Sequence, residues 1–350
     1  MRWSLPSWAL FAALAACAPT PPPAGTSTAG PPAPAICRIG PDDAAPAQQV
    51  AERGIGGTGI SNEEGDRGIG GTGIVGVITG FASICVGGLE VEYAPTLAAD
   101  LDGQPGSVAD LRAGQVVVVE ASGRADALRA ERLALRFEAS GPVERRDGTT
   151  GLQVAGQRVI FAPGMRGGRD WQPGDWVAVS GLRQADGTIM ASRLDRRAPG
   201  RILVRGIAQR EGAGLLRLGQ LRFRRSLLLD VQPGLPVVLT GHLDGGAFVL
   251  DRVETDLVLA DPARRFGPAV DRIVIEAYIG VAAGRLQMGH GTGFAAGLAR
   301  PLPGGTPGLP RRGVMDLRRQ SDGSFSGTEL RAPGQAAGYR GEGLGGLSPR

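Results

Sequence analysis

The chain has 350 residues, more than the roughly 100–200 of one ordinary domain, so two or more domains are expected. Its 58 glycines, 26 prolines and 5% aromatic content suit many tight turns between short strands better than long helices, and the expected class is all-β. Charge is nearly balanced, 38 basic against 34 acidic residues with a net charge of +4, and every cation is arginine. That balance lacks the basic excess of a nucleic-acid-binding protein, so no nucleic acid partner is expected.

Residues 1–16 read as an export leader: Arg2 supplies the positive start, and Trp8-Ala9-Leu10-Phe11-Ala12-Ala13-Leu14 supplies an apolar stretch too short to span a bilayer. Leu14-Ala15-Ala16-Cys17 resembles the bacterial lipobox. The resemblance implies cleavage after Ala16, lipidation of Cys17 and membrane attachment through the lipid, each buried methylene contributing ~0.8 kcal/mol. An ordinary leader cut beside an incidental cysteine is the plainer alternative. Ala18 is not the Asp of the retention signal, so for a Gram-negative host the resemblance implies the outer membrane over the inner.

Residues 17–73 read as a disordered Pro/Gly-rich tether. Pro21-Pro22-Pro23 and Pro31-Pro32 favour extended polyproline II and cannot build a core. Arg53-Gly-Ile-Gly-Gly-Thr-Gly-Ile60 recurs 14 residues later as Arg67-Gly-Ile-Gly-Gly-Thr-Gly-Ile74. Each copy contains G-x-G-x-x-G, but a dinucleotide site needs a strand before it and a helix after it. Ser61-Asn62-Glu63-Glu64 follows one copy and a β-branched run the other, so the repeat reads as a flexible spacer and no cofactor is expected. With Cys17 lipidated, Cys37 and Cys85 remain; an oxidising compartment permits them to pair, and the alternative is a buried Cys85 beside a free Cys37. Two cysteines without a neighbouring histidine make a poor metal site, and no metal is expected.

Beyond the tether the chain repeats itself. Leu111-Arg-Ala-Gly114-Gln-Val-Val, Trp171-Gln-Pro-Gly174-Asp-Trp-Val and Val231-Gln-Pro-Gly234-Leu-Pro-Val place their glycines 60 residues apart, each as a turn feeding a buried strand. Arg183-Gln-Ala-Asp186-Gly187-Thr has a residue-for-residue echo in Arg319-Gln-Ser-Asp322-Gly323-Ser, which marks a fourth, diverged unit. Asp147-Gly148, Asp186-Gly187 and Asp322-Gly323 predict hairpins with type I′ turns. The expected modules are 74–138, 139–199, 200–258 and a diverged 270–332, with a flexible tail at 333–350. A unit of ~60 residues buries a modest core, so neighbours are expected to pack on one another or to close into small barrels.

The glycine repeats followed by Val77-Ile-Thr-Gly-Phe-Ala-Ser-Ile84, and the run Gly174-Asp-Trp-Val-Ala-Val-Ser-Gly-Leu182, resemble bacterial proteins that carry domain of unknown function 5666. The resemblance covers roughly Gly54 to Asp256. It implies exported proteins with tandem OB-like β-barrels, and it brings no catalytic or binding residues with it.

No catalytic constellation stands out. His242 and His290 are the only histidines, and no Gly-x-Ser-x-Gly elbow marks a nucleophile. His290, in Met288-Gly-His-Gly-Thr-Gly293, is the one candidate base if the chain is an enzyme; a polar loop side chain is the plainer reading. The strongest binding candidate is Arg217, Arg222, Arg224 and Arg225 around Phe223, because OB-type barrels bind polymers on a strand face with cations and aromatics. The alternative is a solvated strand with Arg outward and Leu and Phe inward. The expected function is a non-enzymatic binding or interaction scaffold of the cell envelope, with an envelope protein or an anionic glycan or lipid headgroup as partner.

Overall fold

Each repeated glycine falls where a strand must turn sharply, and each turns in the same way. Gly114, Gly174 and Gly234 have φ of 90°, 93° and 89°, a region that a Cβ obstructs. Their backbone N–H groups donate to equivalent points on the first strand of their own modules, Ile78 (2.8 Å), Val143 (2.8 Å) and Ala208 (3.0 Å). The 60-residue spacing is therefore a repeated tertiary contact. The computed structural model describes residues 70–81, 83–124, 127–224, 233–282, 285–289, 293–295 and 310–333. All of them belong to one compact unit, Cys37–Arg350.

The fold is all-β, with several small closed barrels in sequence. In the first module β1 (Gly71–Phe81), β2 (Ile84–Val86) and β3 (Leu89–Glu92) form a meander, the hairpin β4 (Ala98–Leu101) and β5 (Pro105–Ser107) is inserted, and β6 (Val116–Ser122) and β7 (Leu128–Leu135) follow. β6 pairs with β1, and β7 pairs in parallel with β3, which closes a ring of five. The second module repeats the ring with β8 (Ala139–Asp147), β9 (Gly151–Val154), β10 (Gln157–Arg166), β11 (Trp176–Arg183) and β12 (Ile189–Arg196), closed by β8 on β11 and by the parallel pair β10 and β12. This strand order, 1-2-3-5-4-1, is that of the OB-type Greek-key barrel.

The third module has the same succession of strands but splits its first strand at Ala208, and its third and fifth strands lie side by side without pairing among the described residues. β13 (Ile202–Ile207) and β14 (Gln209–Gly212) share that strand's course, followed by β15 (Leu215–Leu218), β16 (Leu221–Arg224), β17 (Pro236–Asp244) and β18 (Ala247–Thr255). Two short helices, α1 (Leu257–Ala260) and α2 (Pro262–Phe266), lead to β19 (Val270–Ala282), β20 (Arg285–Met288), β21 (Gly293–Ala295), β22 (Arg311–Arg319) and β23 (Phe325–Arg331). In this fourth module β19 again pairs with both the second and the fourth strand.

Neighbouring modules share sheets. β8 pairs with β13, so the second module and β13, β17 and β18 of the third form one eight-stranded sheet, while β14, β15 and β16 form a sheet of three. β1 runs parallel to β19 from Gly71 opposite Val270 to Val75 opposite Ile275, which joins the first module to the fourth across the chain. Beyond that ladder the Val77 N–H donates instead to the carboxylate of Glu276, at 2.9 Å. Both faces of β1 are consequently buried. Ile74 and Ile78 point into the first barrel, while Val75 and Val77 join Ile273, Ile275 and Met315 on the other side. Period-2 alternation with two dry faces explains why this strand reads as a nearly continuous apolar run, and each such side chain contributes about 1.5–3 kcal/mol.

Two expectations need correction. Gly71, Thr72 and Gly73, read as part of the spacer, open β1 and pair with β19, and Thr72 and Gly73 pair with β6 as well. Gly73 is glycine because a Cβ there would lie 2.6 Å from the Phe266 ring of α2. The hairpins at Asp147-Gly148, Asp186-Gly187 and Asp322-Gly323 are present, but they are not type I′. Only the glycines have positive φ, at 61°, 92° and 82°. At the second and third hairpins the aspartate instead accepts the N–H two residues on, from Thr188 and from Ser324, both at 2.9 Å. A carboxylate that caps its own turn leaves the glycine alone to take the left-handed conformation.

Candidate functional site

Where the first three modules meet, arginine and carboxylate side chains alternate in a buried chain. Arg136 and Glu138 lie in the link between β7 and β8, Asp102 in the β4–β5 turn, Arg183 at the end of β11, Arg205 in β13 and Asp256 just after β18. Arg136 donates two hydrogen bonds to Asp256, at 2.9 and 2.6 Å, and lies 3.2 Å from Glu138. Glu138 also accepts from Nε of Arg183 at 3.1 Å. Arg205 pairs with Asp102, lies 3.9 Å from Asp256 and donates to the Phe137 carbonyl at 2.8 Å. Three guanidinium groups thus face three carboxylates.

The charges within this joint are not evenly matched. Burial alone would raise the Asp256 carboxyl, but the charges of Arg136 and Arg205 outweigh it and hold it below the usual carboxylate range. Burial likewise opposes the charge on Arg136, and there Asp256 and Glu138 prevail and push it up. Arg183 is the reverse case. Burial pulls it below arginine's ordinary value, the attraction of Glu138 does not make up for that, and Arg136 repels it.

Arg183 forms one wall of a cavity of about 410 Å³ between the second and third modules. The start of β10 contributes Gln157 and Arg158, the β11–β12 turn Asp186 to Thr188, and the third module Gln209, Arg217 and the β15–β16 turn. Gln157 is 1% exposed and bridges the two modules, accepting from Arg183 at 3.1 Å and donating to the Leu218 carbonyl at 2.9 Å. Arg217 is held by the Gly219 carbonyl (3.0 Å) and by Gln209 (2.6 Å). Asp186, the one carboxylate of the lining, spends its oxygens on Thr188. Sequence reasoning missed Gln157, Arg158, Arg183 and Gln209. One signal for Arg183 was available, since Arg319 repeats it in the fourth module: each donates to the carbonyl of its hairpin glycine, Gly187 at 2.7 Å and Gly323 at 3.1 Å.

The arginine surface expected from the sequence adjoins the cavity and shares Arg217 with it. Arg217 of β15 stands opposite Arg222 of β16, and Arg224 is two residues further along β16, so all three share one face. Phe223 does not join them. It is 4% exposed and packs into the core with Leu216 and Leu218, so the face offers cations without an aromatic platform. Arg222 is gripped by both carboxylate oxygens of Glu211, at 2.9–3.2 Å, whereas Arg224 is exposed. These two strands hold the second and third places in the barrel order, the platform on which OB-type barrels receive ligands.

Of the other sequence candidates, Cys17, Cys37, Arg225 and His290 lie outside the described residues. Cys85 is buried and disulfide-bonded. The chain has three cysteines, so its partner also lies outside the described residues. His242 sits exposed in β17, 3.0 Å from Asp251. Among the described residues no three His, Cys, Asp or Glu side chains are grouped as a metal ion would require.

Residues 140–195 match the family model described as Domain of unknown function (DUF5666). The matched segment coincides with the closed ring β8 to β12. No curated protein and no solved structure matches the chain.

Proposed function

We propose that this chain is a non-enzymatic, lipid-anchored scaffold of the cell envelope whose third module presents its β15–β16 face to an acidic glycan. The observation that carries the reading is the alignment of Arg217, Arg222 and Arg224 on one side of two paired strands, on the barrel face where OB-type folds bind polymers. Arginine suits the task because its planar guanidinium stays charged and meets carboxylates with two hydrogen bonds. The lipobox-like Leu14-Ala15-Ala16-Cys17 and the proline-rich stretch after it support the anchor and a spacer that lifts the modules from the membrane.

Polygalacturonate titrated into the full chain is expected to bind with an affinity that falls as salt is added. The Arg222→Ala, Arg224→Ala double variant is expected to lose most of that binding. Salt-insensitive binding, equal affinity in the double variant, or a preference for phosphatidylglycerol vesicles over the glycan would overturn the reading. For the anchor, Cys17→Ala is expected to leave the chain unacylated and released from membranes; an acylated mass for that variant would remove the lipobox from the argument.

A further inference from the structure

The cavity beside Arg183 differs in kind from the open strand face. It is about 410 Å³, room for a single sugar ring and more than a bare phosphate or sulfate requires. Its wall combines guanidinium groups from two modules, Arg158 of the second and Arg217 of the third, with the amide of Gln209 and the backbone of the β15–β16 turn. Amides and backbone groups of this kind suit hydroxyls, and the paired arginines suit a carboxylate.

The electrostatics favour an anion there. Arg158 is exposed and makes no ion pair or side-chain hydrogen bond among the described residues. Arg217 donates only to a neutral amide and a carbonyl, so its charge is uncompensated while its direction is fixed. Arg183, buried behind them, shares its one carboxylate, Glu138, with Arg136. The nearby Asp186 is turned into its own hairpin. A fixed cationic pocket needs little reorganisation to receive a charge of opposite sign.

We propose that this cavity holds one acidic monosaccharide, a uronate, with its carboxylate on Arg158 and Arg217 and a hydroxyl on Gln209. The inference rests on the glycan reading above and deepens it: the strand face attracts the polymer, and the cavity selects an acidic unit of it. Arg183 and Gln157 are positioning residues for the pocket wall, because they tie the start of β10 to the third module.

Glucuronate titrated into the full chain, followed by calorimetry, tests it. Saturable binding is expected, with glucose, inorganic phosphate and inorganic sulfate each weaker by about tenfold or more, the scale of one lost charge-assisted hydrogen bond. The Arg158→Ala, Arg217→Ala double variant is expected to lose glucuronate binding by a similar factor, while Arg318→Ala, on the fourth module, retains it. An unchanged unfolding midpoint in the double variant shows that the loss is not misfolding. Glucose or phosphate binding as well as glucuronate, or full affinity in the double variant, overturns the proposal. If glucuronate fails to bind while polygalacturonate still depends on Arg222 and Arg224, the cavity assignment falls and the strand-face reading stands. If glucuronate binds and the Arg222→Ala, Arg224→Ala variant keeps its polymer affinity, the strand face is the part that fails.

Discussion

The joint between modules and the strand face of the third module are both built from three arginines, yet they do opposite work. At the joint, Arg136, Arg183 and Arg205 are each below 10% exposed and meet Asp102, Glu138 and Asp256. On the face, Arg217, Arg222 and Arg224 have one carboxylate among them in the described residues, Glu211. What separates a strut from a binding surface here is how many anions the fold supplies to each cation, and how much water is left around them. A buried ion pair is costly to break because the survivor is stranded, whereas an exposed one is worth little.

The largest effect is expected at the joint. Asp256→Ala removes the carboxylate on which Arg136 and Arg205 converge, and it is expected to cost about 3–5 kcal/mol of unfolding free energy, read from urea melts. A loss within the range of ordinary surface substitutions would mean that water or neighbouring carboxylates replace it, and the contrast between joint and face would collapse. The same residue sets a pH dependence. Its folded carboxyl titrates below the unfolded value of about 3.9, so its stabilisation is complete above that pH and is lost as the pH falls through the folded value. Unfolding free energy is therefore expected to decline as the pH drops below about 4, more steeply in the natural chain than in Asp256→Asn; parallel curves would assign the acid sensitivity elsewhere. The smallest effect is expected on the face. Glu211→Ala releases Arg222, leaves the unfolding midpoint in place and raises polygalacturonate affinity by no more than about fivefold. Weaker binding in that variant would show that Glu211 orients Arg222 and does not compete for it.

The repeating turns were open to sequence reading because their chemistry is local. A glycine with positive φ ahead of a β-branched run, recurring at 114, 174 and 234, needs no tertiary information to be recognised. The hairpins at Asp186 and Asp322 were legible for the same reason, although their turn type was not, because an Asp-Gly pair serves both a type I′ turn and a turn capped by the aspartate. The sharing of sheets left no such trace. Nothing near Gly71 in the chain announces a parallel neighbour at Val270, since any strand with two apolar faces would serve. The joint was hidden by a different rule. An arginine in a strand reads as outward and solvated, and only the placement of distant carboxylates, such as Asp256 opposite Arg136, makes burial tolerable. At the candidate site, Arg217, Arg222 and Arg224 were found by charge, and Phe223 lies inward as strand alternation with Arg outward and Leu and Phe inward had offered; charge alone could not choose between that arrangement and a mixed cation–aromatic face.

The parallel seam of β1 with β19 also sets an order of events during maturation. β1, the first strand among the described residues, lacks its β19 flank until a segment roughly two hundred residues further on has been made, a long-range closure of the kind that slows folding. Deleting the fourth module would not shorten a modular array by one bead. It would bare an unpaired strand edge and a row of valines on the first barrel, an invitation to aggregate. The assembly is therefore closer to a clasped bracelet than to a ladder, and its last link is the one that shuts it.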